Sequence, residues 1–311
     1  MCDEEMCLIL SDIINKCFHD NIFPDDMKKA EICPLFKKAD DMEKNNYRPV
    51  SILTTFDKIF ETIIAKQLIE YFDSLFNKML CAYRKKYACD HILIRLIDMW
   101  KWSLDRDDFV GTILMDLSKA FDCVPHGLLI CKLKAYGMSE KACIFISTYL
   151  SGRSQRVKVE NSRSTWEPVK KGIPQGSCLG PLLFNIFMND IFCFISKCDL
   201  FNYADDNTLS KSAGTIELVM EALKNDADNA IKWFANNNMK VNPEVFQIML
   251  LKPFHCKTDL PSYFEIDDVS LEIQRNVKLL GITIDDKLKF DFQVNNMCID
   301  FKRYSRRLKK E

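Results

Sequence analysis

Phe109-Val-Gly-Thr-Ile-Leu-Met-Asp-Leu117 is a near-continuous apolar run broken by one carboxylate, Asp116. A half-exposed strand alternates polar and apolar residues, so a run this dense reads as a buried strand. It delivers Asp116 at its end, where the ladder behind it sets the side chain rigidly. A second acidic interruption lies in Phe201-Asn-Tyr-Ala-Asp-Asp-Asn207. Residues 200–209 read as two short strands joined by a tight turn that holds Asp205 and Asp206. Three carboxylates brought together cannot all stay ionised without a cation. Two divalent ions about 3.5–4 Å apart satisfy them and clamp both oxygens of an in-line phosphoryl displacement. Mg²⁺, or Mn²⁺ in its place, suits such hard oxygen donors and keeps coordination positions for substrate phosphates. An Asp-Asp pair also has a plain reading, because aspartate favours turns. The order of the surrounding motifs decides between the two.

Elsewhere, Leu8, Ile9, Ile13, Ile14, Cys17 and Phe18 recur at helical spacing within residues 1–30, until Phe23-Pro24-Asp25 breaks the pattern. A short strand is expected over 32–36 and a charged loop over 37–46. Helices are expected over 55–76, 91–104, 127–150, 179–194 and 215–238. Strands over 156–159 and 166–169 flank a turn at Glu160-Asn161-Ser162, and others are expected over 245–252, 263–266 and 277–284. Helices and strands that do not alternate favour an α+β fold over a doubly wound sheet.

Basic and acidic side chains balance at 43 against 44, and 48% apolar with 28% charged residues excludes disordered and fibrous classes. The chain is long enough for two or three subdomains. Its most apolar window, 180–195, is interrupted by Asn185, Asn189 and Asp190, too short and too polar to span a bilayer. No basic segment precedes an apolar stretch at the start, so the sequence reads as soluble and intracellular, with no membrane partner. Fourteen scattered cysteines include no C-x-x-C pair, which reads as reduced thiols rather than a disulfide framework or a zinc site. Net charge gives no sign of a polyanion partner, but two local stretches do. Arg153, Arg156, Lys158, Arg163, Lys170 and Lys171 fall within 151–172, and 302–311 holds six basic residues. Nucleic-acid binding needs a basic face of this kind, although either stretch alone reads equally as solvated surface.

Three motifs occur in order: Asp116-Leu-Ser-Lys-Ala-Phe121-Asp122, Gly172-Ile-Pro-Gln-Gly-Ser177 and Tyr203-Ala-Asp-Asp206. Asn46-Tyr-Arg-Pro-Val-Ser-Ile-Leu53, Leu179-Gly-Pro-Leu-Leu-Phe-Asn185 and Leu279-Leu-Gly-Ile-Thr-Ile-Asp285 accompany them. Over residues 20–290 the set resembles the reverse transcriptases of non-LTR (LINE-type) retrotransposons, Jockey-like elements in particular. The resemblance implies a right-hand polymerase of α+β class. Its fingers would span 1–108, with motif segments at 46–53 and 82–91. An antiparallel-sheet palm would span 109–252, with a fingers insertion near 127–171, and a primer-grip hairpin, truncated thumb and basic tail would span 253–311. The implied activity is RNA-directed DNA polymerisation on an RNA template with a DNA primer and dNTPs, in the nucleus or the cytoplasm. Nothing in it fixes an oligomeric state.

The same resemblance implies roles residue by residue. Asp116, Asp205 and Asp206 match the catalytic metal ligands, for Mg²⁺ or Mn²⁺. Phe121 matches an aromatic gate that clashes with a ribose 2′-hydroxyl, though it reads equally as a core phenylalanine. Gln175 and Gly176 match a loop lying against the incoming nucleotide and template. Arg48 and Arg84 match fingers positions where a guanidinium fork holds the triphosphate; either also reads as a surface ion-pair residue. Leu280 and Gly281 belong to the hairpin that matches the primer grip, and Asp122 matches a residue that orients the strand end.

The sequence departs from the family pattern in three places. Val245 follows Asn242-Pro243-Glu244 where a lysine is usual, and Lys240 and Lys252 are the basic residues expected to stand in. Lys86 replaces a glycine in Ala82-Tyr-Arg-Lys-Lys-Tyr87; a backbone with φ > 0 there would cost lysine energy. The chain also lacks an endonuclease, a Cys/His cluster and most of a thumb, as a fragment of a longer polyprotein would. Two other readings stay open. One is a non-catalytic nucleic-acid-binding remnant, which Val245 favours and the intact aspartates oppose. The other is an RNA-dependent RNA polymerase, which Phe121 opposes, because those enzymes place an aspartate there to read the ribose hydroxyl.

Overall fold

Local chemistry sets most element boundaries in the computed structural model, which describes residues 4–37, 40–117 and 119–308. In chain order the elements are α1 (Glu4–Asp20), β1 (Lys29–Phe36), β2 (Tyr47–Ile52), α2 (Thr55–Phe72), α3 (Cys89–Leu104), β3 (Phe109–Asp116), α4 (Ala120–Cys123) and α5 (His126–Ala135). There follow α6 (Glu140–Leu150), β4 (Ser154–Val159), β5 (Ser162–Arg163), β6 (Glu167–Pro168), α7 (Gly180–Met188), β7 (Asp199–Tyr203) and β8 (Asp206–Ala213). Last come α8 (Ile216–Asn236), β9 (Gln247–Leu251), β10 (Tyr263–Ile266), β11 (Val269–Glu272), β12 (Asn276–Leu279), β13 (Ile282–Asp285) and α9 (Asp291–Leu308). Ser118 and the end of the basic tail, 309–311, lie outside the described residues.

Several expected elements are shortened or split. The first helix stops at Asp20, where Asn21 takes φ 55°, and the following strand begins at Lys29 rather than 32. The helix expected over 127–150 is two. Gly137, at φ 89°, ends α5, and the Ser139 side chain caps α6 by accepting the Ala142 N–H at 3.3 Å. α7 gives way to a 3₁₀ turn at Asn189–Cys193, and α2 ends at Phe72. β2, β11 and the second half of the β12–β13 pair are strands that periodicity alone did not separate from their surroundings.

The chain divides into two compact units. One comprises Met1–Phe76, Lys119–Asn189 and Asn237–Met239. Its sheet runs β2-β1-β4-β5, with β6 also on β4. Pro34 of β1 faces Pro49 of β2. Both are tolerated because β2 is an edge strand and β4 pairs with β1 only as far as Ile32. Phe18, Phe23, Phe60, Phe145 and Tyr149 form an aromatic core, with Phe23 edge-on to Tyr149 at 5.0 Å. A capping box starts α2: the Thr54 hydroxyl accepts from Asp57 N at 3.2 Å, and the Asp57 carboxylate accepts from Thr54 N at 3.0 Å.

The other unit comprises Asn77–Ser118, Asp190–Asn236 and Lys240–Glu311. Its sheet is antiparallel throughout, β7-β8-β3-β9. β3 is buried from Phe109 to Met115 because it has a strand on either side and helices on both faces, hence its unbroken apolar sequence. α8 crosses at Gly111, where a Cβ would lie 2.6 Å from both Leu223 Cδ1 and Val219 Cγ1. Val110 and Leu114 point to the opposite face. There they pack with Ile92, Leu96 and Trp100 of α3 and with Val277 and Ile284 of the β12–β13 hairpin. Trp100 also donates its indole N–H to Ser210 Oγ at 2.8 Å. Leu280 and Gly281, at φ 48° and 87°, make the two-residue turn of that hairpin. Among the described residues no helix is long and apolar enough to cross a membrane, and every described cysteine is a free thiol.

Candidate active site

In the β3–β8 ladder Asp116 stands opposite Asp206. Residues directly opposed in an antiparallel pair have Cα atoms about 4.5–5.5 Å apart, so two carboxylates share one end of the sheet. β7 returns with Tyr203 opposite Asp206, which leaves Ala204 and Asp205 as a two-residue turn. Ala204 takes φ 57°, as the first position of a tight hairpin turn requires. Buried amides hold this turn without using the carboxylates. Asn202 Nδ2 donates to the Ala204 carbonyl and to Asn207 Oδ1, both at 2.9 Å, and Asn207 Nδ2 donates to the Asp205 carbonyl at 3.1 Å. The approach to β7 is fixed by Asp226, fully buried on α8. Its Oδ2 accepts the backbone N–H groups of Ser196, Lys197 and Cys198 at 3.2, 2.7 and 2.7 Å.

Burial, and then the charges of Asp205 and Asp116, push the Asp206 carboxyl up to about 6. This is what clustered carboxylates do in the absence of a counter-cation. Among the described residues, no group of three or more His, Cys, Asp or Glu side chains is placed to hold a metal ion by itself. Aspartate oxygens are the hard donors that Mg²⁺ takes, and Mg²⁺ usually keeps several waters or substrate oxygens in its shell. A cavity of about 40 Å³ opens beside the pair, with Asp116, Asp206, Val245, Gln247 and Lys278 in its wall. Gln247 Oε1 accepts the Lys278 backbone N–H at 3.0 Å, tying β12 to β9. Lys240 and Lys252, the stand-ins expected for the lysine absent at 245, are not in this wall. Lys252 Nζ is instead committed to the Thr258 carbonyl at 2.8 Å. Sequence reasoning passed over Lys278, whose signal is positional: its neighbours Val277 and Leu279 are buried, so it points away from the core.

Arg84, Leu280 and Gly281 belong to the same unit. Arg84 Nη1 donates to the Asn77 and Leu80 carbonyls at 2.9 and 3.1 Å, and the guanidinium lies 4.6 Å from the Tyr87 ring centroid. It closes its own loop. Lys86 in that loop takes φ 72°, the conformation suspected from the glycine it replaces.

Phe121, Gln175, Gly176 and Arg48 belong to the other unit. The half-buried Phe121 ring stacks on Phe184 at 4.3 Å and 15°. Gln175 Nε2 donates to Asp122 Oδ1 at 2.9 Å, and its carbonyl accepts Ser51 N–H at 2.6 Å. Gly176, at φ 103°, admits no side chain, since a Cβ would lie 2.7 Å from the Ser51 carbonyl oxygen. Beyond this loop, buried Glu61 of α2 accepts the Tyr149 hydroxyl at one oxygen and Cys178 N–H at the other, each at 2.7 Å. Burial, reinforced by the Glu61 charge, holds the Tyr149 hydroxyl well above the usual tyrosine range. Arg48 is exposed on β2, opposite Leu35. Much of the basic 151–172 stretch is engaged in internal contacts. Arg153 is buried, donating to the Tyr149 carbonyl, while Arg156, Lys158 and Arg163 converge on Glu31. Lys170 and Lys171 stay exposed on the wall of a cleft of about 430 Å³.

The family model described as "Reverse transcriptase (RNA-dependent DNA polymerase)" matches residues 36–284. The chain is 29% identical over 302 residues to a probable RNA-directed DNA polymerase from transposon BS of Drosophila melanogaster, covering 91% of this chain and 32% of that protein. It is 25% identical over 295 residues to the RNA-directed DNA polymerase from mobile element jockey of the same species, covering 92% and 32%. The chain thus spans about a third of the length of these relatives. An apo telomerase from Candida tropicalis, truncated from its C-terminal domain, superposes with a TM-score of 0.59 at 12% identity, over 87% of this chain and 55% of that one. Telomerase from the same organism in complex with a TWJ fragment of telomeric RNA gives 0.58 at 11% identity, over 92% and 48%. At such identities the likeness shows a shared mixed α+β polymerase fold.

Proposed function

Because the chain belongs to the reverse transcriptase (RNA-dependent DNA polymerase) family, with retrotransposon polymerases among its relatives, we propose that it extends a DNA primer along an RNA template with dNTPs. The observation that carries this reading is the Asp116–Asp206 pair at the end of the β3–β8 ladder, with Asp205 on the adjoining turn. In this reading the fingers occupy 1–108, the palm 109–252 with an insertion near 127–171, and the primer grip and thumb residues 253–311.

Asp116, Asp205 and Asp206 would hold Mg²⁺ or Mn²⁺; when bound, the ions stabilise charge on the attacking and leaving oxygens. The reaction joins the primer 3′-oxygen to the α-phosphorus and breaks the bond to pyrophosphate. Phe121 bars a ribose 2′-hydroxyl, with Phe184 stacked behind its ring. Gln175, oriented by Asp122, and Gly176 lie against the nucleotide and template. Arg48 meets the triphosphate. Arg84 shapes its loop through the Asn77 and Leu80 carbonyls, so its contribution to the triphosphate is through that loop. The Leu280-Gly281 turn supports the primer end. Contacts to the strands are mainly to phosphates and therefore weaken with salt; Lys170 and Lys171 are the exposed candidates.

Primer extension on an RNA template with dNTPs and Mg²⁺, comparing the chain with Asp205→Asn, tests the proposal. Extension that vanishes in the variant supports it. Salt-sensitive binding to RNA–DNA hybrid without extension supports the second reading, a binding remnant, which the valine at 245 beside the carboxylates favours.

A further inference from the structure

We propose that the Lys278 ammonium is the protein's own cation for the terminal phosphates of the bound nucleotide and for the pyrophosphate that leaves, a role that rests on the polymerase reading. Lys278 shares the wall of one cavity with Asp116, Asp206, Val245 and Gln247. Among the described residues its ammonium forms no ion pair, while Gln247 fixes its backbone at 3.0 Å and buried Val277 and Leu279 hold the strand on either side. The β12 backbone is therefore rigid and the charge is available. The cavity, about 40 Å³, is far smaller than a base or a sugar. A space of this size admits phosphate oxygens only; a phosphodiester offers two free oxygens and is flanked by two sugars, whereas a terminal phosphate or one end of free pyrophosphate offers three and approaches without a second flank. Pyrophosphate beside clustered carboxylates is repelled by them, and a protein cation in the same wall adds to whatever charge the metal ions offset. Position 245, in the same wall, supplies only a valine side chain. Lys278 supplies a flexible ammonium suited to phosphate as a point charge.

Calorimetric titration of the whole chain with pyrophosphate in MgCl₂ provides a readout that does not depend on turnover. Lys278→Ala is expected to weaken pyrophosphate binding about tenfold or more, as for loss of a charge-assisted hydrogen bond. Lys278→Arg stays within about threefold of wild type, since the charge is retained. The double variant Lys278→Ala/Val245→Lys recovers most of the loss, because 245 faces the same cavity. Affinity for primer–template is unchanged in all three. Pyrophosphate binding that is undetectable in wild type or unaffected by Lys278→Ala overturns the assignment. So does an equal loss of primer–template affinity, which would make Lys278 a strand contact. Primer extension by the wild-type chain is scored separately: its failure counts against the polymerase reading, not against a pyrophosphate site at Lys278.

Discussion

Asp206 faces Asp116 across the last pair of the β3–β8 ladder, and its carboxyl is pushed up to about 6, first by burial and then by the charges of Asp205 and Asp116. An unfolded aspartate titrates near about 3.9. Between about pH 4 and pH 6 the folded protein therefore holds a proton that the unfolded chain has released, and stability falls as pH rises through that window. Asp206→Asn removes this contribution. In thermal melts without divalent ions, the variant is expected to gain on wild type between pH 5 and pH 7. MgCl₂ closes the gap at pH 7, where the carboxylate is ionised, and does so much less at pH 5. A difference between the two proteins that does not grow with pH would sink this account.

Glu61 carries two buried partners, the Tyr149 hydroxyl and the Cys178 backbone N–H. Glu61→Ala strands the Cys178 N–H and leaves the Tyr149 hydroxyl to Ser177 Oγ, 3.1 Å away, at a cost of about 3 kcal/mol, since an unsatisfied buried group costs about 1–3 kcal/mol and a lost hydrogen bond to a charged group about 1.5–3 kcal/mol. Tyr149→Phe leaves one acceptor oxygen short and costs less, about 1–2 kcal/mol. Urea denaturation measures both. Hydrogen exchange over 172–178 should quicken in Glu61→Ala, because the carboxylate anchors the far end of the Gln175 loop. Unchanged exchange there would mean that the loop is held by the Gln175–Asp122 and Ser51 contacts alone.

Lys86 takes φ 72°. The left-handed region costs an L-residue about 1–2 kcal/mol, partly offset in glycine by its greater unfolded-state entropy. Lys86→Gly is therefore expected to raise stability by about 0.5–1 kcal/mol in chemical denaturation, while Lys86→Ala gives no gain. Equal effects of the two substitutions would show that the side chain, not the backbone, determines the outcome.

The buried strand was legible because β3 is covered on both faces, and such strands carry their burial in composition. The carboxylate turn was legible because Asp205 and Asp206 interrupt apolar strands, and the sequence order of motifs tied them to Asp116. Other features depend on contacts distant in sequence. The β12–β13 hairpin read as one stretch, since its turn uses Leu280 at φ 48° rather than an Asn-Gly pair. β2 was hidden by Pro49, which an edge strand tolerates. Arg156 and Arg163 looked free to meet a polyanion until their shared partner Glu31 was located on β1. Asp226 carries no signal in its own stretch of sequence, because its three backbone donors lie at 196–198. Lys278 acquires significance only when β12 is brought beside β9.

Phe121 is half-buried and stacked on Phe184 at 4.3 Å, a backing that fixes the ring plane. A rigid ring excludes an extra hydroxyl by steric conflict, whereas a mobile one yields to it. Phe121→Ala is expected to lower the dNTP-to-rNTP ratio of kcat/KM by about 10- to 100-fold, the scale of one packing contact in substrate discrimination. Phe184→Leu should lower the same ratio by less, because Phe121 keeps its ring but loses its flat support. Single-nucleotide incorporation with dCTP and CTP reads both ratios, and melting temperatures separate selectivity from loss of fold. A Phe121→Ala protein that loses stability with its ratio unchanged would return Phe121 to the role of a core residue.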